Sequence, residues 1–305
     1  MEKIGVIINP HAKKIRLGKI KIDDFKTDPE IVELRLTQTL DAILDVAKDF
    51  KKNGVTYVGI AGGDGSMHHV IQRLIQAYSP DPIPPLVILK GGTMDNIART
   101  INLKGKGPAI LKRLVKAIRK GKKIGIFERD TMQIGNTLCF LFGTGMVTNF
   151  LNEVYKGEKG FRANVRVTMK GIKHSFKEPE TGSLFHGFNG DVLADGEPVP
   201  FKDVCAILAG TVEHISGGMP TCYRANEKPG TFHAIITGLK RWQIFGRIYF
   251  LFGFGLKHKL HRDVVISSMK IRTNEKFEYT MDGDMYQSDG VLEIKMGPRV
   301  KLVKV

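Results

Sequence analysis

The segment YVGIAGGDGSMHHVI, residues 57–71, contains the pattern that decides the fold. Its apolar first part is typical of a buried strand, and the glycines at 62, 63 and 65 surround a single carboxylate, Asp64. Apolar residues at helical spacing follow from Met67 onward. The segment therefore predicts a strand, a glycine turn and a helix in succession, which is the repeating unit of a parallel α/β sheet.

The same alternation extends over the first 125 residues. The pattern predicts strands at 4–10, 55–63 and 86–92, and helices at 34–54, 67–79, about 95–101 and 108–123. The first of these helices is predicted from six apolar residues at helical spacing, Leu36, Leu40, Ile43, Leu44, Ala47 and Phe50, with Gly54 at its end. We therefore expect residues 1–125 to form an α/β domain with a parallel sheet.

The pattern changes after residue 125. Short apolar segments are separated by Gly, Asn and Asp, and turn sequences such as FNGDV and ADGEP stand between them. Four strands are predicted between Asp263 and the last residue. This pattern predicts a mostly antiparallel β-sandwich for the second domain.

Composition limits the classes of protein to which the chain can belong. Of its 305 residues, 42% are hydrophobic and 26% are charged, which allows a sizeable globular core. The three cysteines are odd in number and widely spaced, so they argue against a disulfide scaffold and favour a reducing compartment, the cytoplasm. The opening MEKIGVIINP starts a strand at once, and we expect no secretory signal.

The charge of the chain points to an anionic partner. Lys and Arg number 47 against 31 Asp and Glu, a formal charge of +16. Such an excess favours phosphorylated substrates, an anionic membrane surface or nucleic acid. Nucleic acid is the least favoured of the three, because the sequence has no RNP, helix-turn-helix or zinc motif. The sequence leaves open whether the protein forms a homodimer.

Two predicted strands end in similar glycine-rich turns, GIAGGDGS at 59–66 and ILKGGTMDN at 88–96. Ligands of a parallel sheet bind outside the carboxyl ends of its strands, where glycines let backbone N–H groups approach an anion. We expect a phosphate chain there, with hydroxyl hydrogen bonds from Ser66 and Thr93. Because the carboxylate of Asp64 repels phosphate directly, we expect it to hold Mg²⁺.

The two glycine turns resemble the GGDGT and GTxNDxAR motifs of the diacylglycerol-kinase-like lipid kinases, a superfamily that includes diacylglycerol, sphingosine and ceramide kinases. INP at 8–10 resembles the opening Asn-Pro of this superfamily, and MDGDMY at 281–286 resembles its late Asp-Gly-Glu. The resemblance implies a nucleotide domain at 1–125, a lipid domain at 126–290, and a C-terminal strand within about 291–305 that returns to the first domain. It also implies ATP- and Mg²⁺-dependent phosphorylation of a lipid hydroxyl, on a diacylglycerol or a sphingoid-like lipid.

The resemblance assigns roles to individual positions. The nucleotide site would be lined by Asn9, Gly62, Gly63, Gly65, Ser66, Gly92 and Thr93. Asp64 would serve the Mg²⁺–phosphate chemistry, Asp284 stands at the position of the general base, and Asp282 is the preceding acid of that motif. Asp130 stands where many bacterial members carry a further acid, so it is either a metal ligand or a solvated loop residue.

Three departures from the superfamily pattern lie in these motifs. His68 and His69 replace the Asn-Glu pair that usually follows GGDGT, Asp95 and Asn96 are reversed, and Asp284 replaces Glu. We expect an active kinase. Two alternatives stay open: a soluble kinase similar to the NAD kinases, which share the first glycine motif, and a non-catalytic lipid-binding protein derived from a kinase.

The segment 239–262 has one Trp, one Tyr and four Phe between basic flanks. The aromatic stretch between these flanks, residues 242–256, is fifteen residues long, which is too short for a transmembrane helix, and Arg247 interrupts it. It predicts a peripheral contact with an anionic membrane, the mouth of an acyl-chain pocket, or a helix buried in the sandwich. The basic helix at 108–123 favours the same membranes. His258 and His261 are interpreted as part of a cationic surface.

Overall fold

The computed structural model describes residues 2–92, 96–156, 184–215, 220–244 and 256–305. The chain divides into two compact units. The first contains the chain up to Thr131 together with Pro298–Val305, and the second contains most of the chain from Met132 to Gly297. No β-sheet is shared between the two units in the described residues.

The first unit alternates strands and helices. Its strands up to Thr131 are β1 (Ile4–Ile8), β2 (Val32–Leu36), β3 (Tyr57–Ala61), β4 (Leu86–Ile88) and β5 (Gly125–Arg129). Its helices are α1 (Lys13–Arg16), a 3₁₀ helix (Ile22–Phe25), α2 (Leu40–Lys52), α3 (Asp64–Tyr78), α4 (Asn96–Thr100) and α5 (Gly107–Arg119). Every residue of β1, β3 and β4 is buried, as expected for parallel strands covered on both faces.

Strand β2 and helix α2 divide a segment for which the sequence predicted one continuous helix. Leu36 pairs with Ile8 in a parallel ladder, so the prediction that placed Leu36 in the helix was wrong. The helix begins at Leu40 because Thr39 caps it: the Thr39 hydroxyl accepts a hydrogen bond from the N–H of Ala42 at 3.2 Å. Beyond the cap the predicted apolar face is buried at Ile43, Ala47 and Phe50.

Helix α2 is seated on the sheet through one aromatic ring. A Cβ added to Gly5 would lie 2.5 Å from Cε2 of Phe50, so the ring occupies the space that a larger residue would need. Phe50 is fully buried, and α2 also packs against α3. The contact therefore helps to fix both helices against the sheet.

The second unit is mostly antiparallel. Its elements are β6 (Met132–Ile134), β7 (Thr137–Cys139), β8 (Leu141–Gly145), α6 (Met146–Tyr155), β9 (Phe188–Ala194), β10 (Glu197–Pro198), β11 (Asp203–Val204), β12 (Ala206–Gly210), β13 (Phe232–Thr237), β14 (His261–Ile266), β15 (Ser268–Thr273), β16 (Phe277–Met281), β17 (Asp284–Ser288) and β18 (Val291–Met296). In the described ranges, sheet B has the order β10-β9-β15-β18-β6-β7 with β11 on β9, and sheet C has the order β14-β13-β12-β8-β16-β17. Helix α6 was not predicted.

Sheets B and C share one hydrophobic core. Sheet B contributes buried residues such as Ile271 and Ile294, and sheet C contributes residues such as Phe142, Phe232 and Ile236. Two antiparallel sheets that bury their facing sides against each other form a β-sandwich. The predicted sandwich is therefore confirmed.

After β18 the chain returns to the first unit as β19 (Val300–Lys304). This strand is parallel to β4 and antiparallel to β5. Sheet A then has the order β2-β1-β3-β4-β19-β5 in the residues that the structure describes. The predicted fold class, an α/β domain and a β-sandwich with a returning C-terminal strand, is confirmed.

The junctions between the units lie about one strand away from the predicted boundaries. Strand β5, which contains residues 126–129, pairs in sheet A, and β18, which begins at Val291, pairs in sheet B. Strands β14 to β19 also number six where four were predicted. Asp282, Gly283 and Gly290 have positive φ and lie in tight turns. These turns divide segments that the sequence pattern shows as longer strands.

Candidate active site

The first glycine turn forms the connection between β3 and α3. Gly63 is the N-cap of α3, and its carbonyl accepts a hydrogen bond from the N–H of Met67 at 3.2 Å. A Cβ on Gly62 would lie 2.6 Å from Cβ of Ser66, so the serine packs directly on the backbone of the turn. The fifteen-residue helix α3 begins at this turn, and the backbone N–H groups at a helix N-terminus favour an anion.

The second glycine turn lies directly against the first. A Cβ on Gly91 would lie 3.0 Å from the backbone nitrogen of Gly62, and a Cβ on Gly63 would lie 3.5 Å from Cα of Gly92. Lys14 of α1 helps to hold the second turn. Its backbone N–H donates a hydrogen bond to the carbonyl of Gly91 at 3.1 Å. Two turns that are distant in sequence therefore form one glycine backbone surface.

Asn9 connects the end of β1 to the same surface. Its backbone N–H donates to the carbonyl of Ala61 at 3.0 Å, and its side-chain Nδ2 donates to Oγ of Ser66 at 2.9 Å. Its Oδ1 accepts from the backbone N–H of His11 at 2.9 Å. The structure thus brings together five of the predicted nucleotide-site residues, Asn9, Gly62, Gly63, Ser66 and Gly92.

The remaining predicted residues of these turns are only partly described. Asp64 and Gly65 belong to the first turn of α3, and the structure describes their backbone but not their surroundings. Thr93 and Asp95 lie outside the described residues. The roles of Asp64, Gly65 and Thr93 stay predictions.

A cavity of about 250 Å³ adjoins the first glycine turn. Helix α3 contributes Ser66, His69 and Val70 to its wall, the strand ends contribute Asn9 and Gly62, and the β2–α2 connection contributes the stretch from Thr37 to Leu40. The N-termini of α2 and α3 therefore both border the cavity, and helix N-termini favour anions. Its described lining contains no carboxylate, and His69 is the one ionisable side chain in that lining.

The stretch from Thr37 to Leu40 was missed in the sequence. It follows β2 as the glycine turns follow β3 and β4, and Thr37 donates its backbone N–H to the carbonyl of Ile8 at 3.0 Å. The available signal was the polar run Thr37-Gln38-Thr39 at the carboxyl end of a strand. Because residues 34–36 were assigned to a helix, this run was not placed at the edge of the sheet.

In the second unit, Asp282 occupies the tight turn between β16 and β17. Its φ is +51°, and its residue is 8% exposed. Oδ1 accepts hydrogen bonds from the backbone N–H groups of Phe140 at 3.1 Å and Leu141 at 2.8 Å. The carboxylate therefore ties the hairpin to the bend between β7 and β8.

Asp284 is the first residue of β17 and is half-buried. Burial and the charge of Asp284 raise the pKa of Tyr155, and the same two causes raise the pKa of Tyr286 to about 12. The Tyr155 hydroxyl donates to the carbonyl of Gly283 at 2.7 Å, which links α6 to the turn that presents Asp284. Both tyrosines stay neutral at physiological pH.

Asp130 has a cationic neighbour in the first unit. Its Oδ1 lies 2.9 Å from Nε of Arg299, and its side chain is 12% exposed. This ion pair links the chain after β5 to the segment before β19. Whether Asp130 also serves as a metal ligand stays a prediction.

The histidine proposed for a cationic surface is not on the surface. His261 begins β14 and is 3% exposed, and burial lowers its pKa to about 4. It is therefore neutral at physiological pH, and the prediction for His261 was wrong. The basic neighbours in LKHKLHR indicated a surface, whereas the pairing of β14 in sheet C buries His261.

The aromatic segment 239–262 lies partly outside the described residues, which include 239–244 and 256–262. Trp242 is 61% exposed, whereas Leu239 and Ile244 are buried. Across the described ranges, no helix is both long and apolar enough to cross a bilayer.

A known protein family matches the first unit. Residues 3–126 match the model of the family described as "Diacylglycerol kinase catalytic domain". The predicted resemblance to the diacylglycerol-kinase-like superfamily is confirmed. The matched residues include both glycine turns, Asn9 and the whole wall of the cavity.

Curated relatives match part of the chain. "Probable lipid kinase YegS" of Escherichia coli O127:H6 (strain E2348/69 / EPEC) is 30% identical over 123 residues, 38% of this chain and 38% of the relative. "Probable lipid kinase YegS" of Escherichia coli strain K12 / DH10B is 30% identical over 176 residues, 54% of each chain. The matched part thus spans between 38% and 54% of the length of these two relatives.

Solved structures have a similar fold over the whole length of the chain. A structure titled as a diacylglycerol kinase from Bacillus anthracis str. Sterne covers 100% of this chain and 97% of its own, with a TM-score of 0.64 and 18% identity. A second chain from the same organism reaches a TM-score of 0.70, also at 18% identity. At this identity the likeness concerns the fold, and it includes the sandwich that the family match leaves out.

Proposed function

We propose that this chain is a lipid kinase that transfers the γ-phosphoryl group of ATP to a lipid hydroxyl with the help of Mg²⁺. The observation that carries the proposal is the contact between the two glycine turns at the N-terminus of α3. Glycine turns at a helix N-terminus bind a phosphate chain through their backbone N–H groups. The family match over residues 3–126 supports the same assignment.

The nucleotide fits the first unit as the structure describes it. Its phosphates would lie on the glycine turns, where any Cβ at Gly62 would collide with Ser66. The hydroxyl of Ser66 and the amide of Asn9, already hydrogen-bonded to each other, are polar partners for the ligand. The adjoining cavity has apolar wall residues, Ile43 and Val70 among them, against which a nucleoside can pack.

Mg²⁺ suits the acid at the start of α3. A carboxylate is a hard oxygen ligand of the kind that Mg²⁺ takes, and Asp64 is the acid in the first glycine turn. When bound, the metal would supply neutralisation of the phosphate charge that develops during transfer. The protein's part is to position the phosphates with backbone N–H groups and to keep Asp64 at the helix start.

The acceptor hydroxyl requires a base, and Asp284 is our candidate. During transfer, the lipid oxygen forms a bond to the γ-phosphorus while the bond to the β–γ bridging oxygen breaks and ADP leaves. The hydroxyl proton moves to the carboxylate of Asp284. Asp282 would act as a positioning residue, because its carboxylate holds the turn that precedes Asp284.

The lipid substrate implies contact with a membrane surface. We propose a cytoplasmic protein that associates peripherally with anionic membranes. Lys112 and Lys116 are exposed one turn apart on α5, and Trp242 is exposed in the second unit. Cations and an exposed aromatic ring are the groups that bind the headgroup region of anionic bilayers.

The test offers the protein competing acceptors. Purified protein is incubated with ATP labelled in the γ-phosphate, Mg²⁺ and either a total lipid extract, NAD or no acceptor, and the labelled product is identified. We expect label in a phosphorylated lipid whose parent has a free hydroxyl. Label in NAD would contradict the proposal in favour of the NAD kinase alternative. Binding of ATP without transfer to any acceptor would contradict it in favour of a non-catalytic lipid-binding protein.

A further inference from the structure

The pair His68–His69 has no role in the proposed function so far. The two rings are in contact, with centroids 3.9 Å apart, but their environments differ. His68 is fully buried, whereas His69 is partly exposed and lines the cavity beside the glycine turn. His69 follows Ser66 by three residues on α3, so both side chains lie on the face of the helix that borders the cavity.

The cavity favours negative charge through its backbone. Gly63 and Thr39 are the N-caps of α3 and α2, and both stand next to the cavity. The N-terminus of each helix carries a partial positive charge. The described lining of the cavity contains no carboxylate.

One side chain on the same wall can donate a ring N–H. Among the described lining residues, His69 carries the one imidazole. An imidazole N–H also donates a strong hydrogen bond to a phosphate oxygen, because hydrogen bonds to charged groups are stronger than neutral ones. His69 thus lies on the cavity wall together with Ser66, three residues earlier on α3.

We infer that His69 binds the phosphate chain of the nucleotide and sets the preference of the site for phosphorylated over unphosphorylated nucleosides. This inference rests on the proposed function, because it assumes that the cavity receives a nucleotide. It adds a specific ligand contact at a residue for which the glycine motif itself gives no role.

The experiment compares ADP with adenosine by isothermal titration calorimetry, in the presence of EDTA so that no metal holds the phosphates. The variant is His69→Gln, and the matched control is His186→Gln, which changes an exposed histidine of the second unit. We expect His69→Gln to weaken ADP binding by about ten-fold or more, the effect of losing one hydrogen bond to a charged group. Adenosine binding should change by less than about two-fold, and the control should bind both like the wild type.

The outcomes separate the inference from the proposed function. ADP affinity unchanged in His69→Gln overturns the inference, and so does an equal loss for ADP and adenosine, which would place His69 at the base or ribose. Wild-type protein that binds neither ligand, in EDTA or after Mg²⁺ has replaced EDTA, overturns the proposed function itself. Circular dichroism checks that His69→Gln is folded; if it is not, His69→Asn is put through the same comparison and decides.

Discussion

Replacing Asp282 by alanine should destabilise the second unit by about 3 kcal/mol. The substitution removes the acceptor for the backbone N–H groups of Phe140 and Leu141, and Phe140 is 1% exposed. Each buried donor left without a partner costs about 1–3 kcal/mol, which gives about 3 kcal/mol for the two when Leu141 is counted at the lower end. Asp282→Asn should cost about 1 kcal/mol, because its amide oxygen can still accept both bonds and Asn tolerates positive φ.

The assay for Asp282 combines urea unfolding with hydrogen exchange. Unfolding is followed by circular dichroism, and exchange is measured by mass spectrometry on peptides that contain residues 138–145. Asp289→Ala is the matched control, since Asp289 also lies in a hairpin turn but is 88% exposed. We expect the amides of Phe140 and Leu141 to exchange faster in Asp282→Ala than in the wild type. In the control their exchange rate should equal that of the wild type. Wild-type stability and exchange in Asp282→Ala would refute the argument that this carboxylate holds the bend.

Three further predictions concern the base, the buried histidine and the membrane. Asp284→Asn should lower kcat by about 10²–10⁴-fold and leave ATP affinity unchanged, as loss of a general base does, whereas Asp284→Glu should stay active. Steady-state kinetics and nucleotide titration check this prediction. A wild-type kcat in Asp284→Asn would contradict it. Burial lowers the pKa of His261 to about 4, below its ordinary value near 6.5. Between these two pH values the unfolded state binds a proton on His261 that the folded state does not bind. The free energy of unfolding should therefore fall by up to about 3 kcal/mol as the pH drops from about 6.5 to 4. His261→Leu should lack that loss in urea unfolding at the two pH values, and an identical pH dependence in both proteins would exclude His261 as its source. Binding to anionic vesicles should weaken with added salt and in the double variant Lys112→Glu, Lys116→Glu; equal binding to neutral vesicles in a sedimentation assay would argue against the membrane proposal.

Much of the fold could be predicted because hydrophobic periodicity is a local property. The buried strands β1, β3 and β4 and the amphipathic helices between them show their apolar faces directly in the sequence. Strand β2 was missed because only its first residue is buried and its last two are exposed, so no apolar run distinguishes it. Its place is fixed by pairing with β1, which no local pattern shows.

The candidate site divides in the same way. The glycine turns were recognisable in the sequence because a phosphate-binding surface needs glycine at particular positions. Gly62 and Gly91 can lie this close together because neither has a side chain. The contribution of Thr37–Leu40 depends on two strand ends that meet only in the folded sheet. The hydrogen bonds of Asp282 to the β7–β8 bend join residues about 140 positions apart, and a motif alone gives the acid but not its partner.

The most direct test of the central claim is phosphoryl transfer by Asp64→Ala. Label from the γ-phosphate of ATP is followed into lipid with and without Mg²⁺, for the wild type and the variant, and circular dichroism melting confirms that both are folded. The account predicts Mg²⁺-dependent labelling of lipid by the wild type and no detectable labelling by Asp64→Ala with the fold retained, because a single acid in the glycine turn is needed to hold the metal. Activity of Asp64→Ala within a few-fold of the wild type would contradict it.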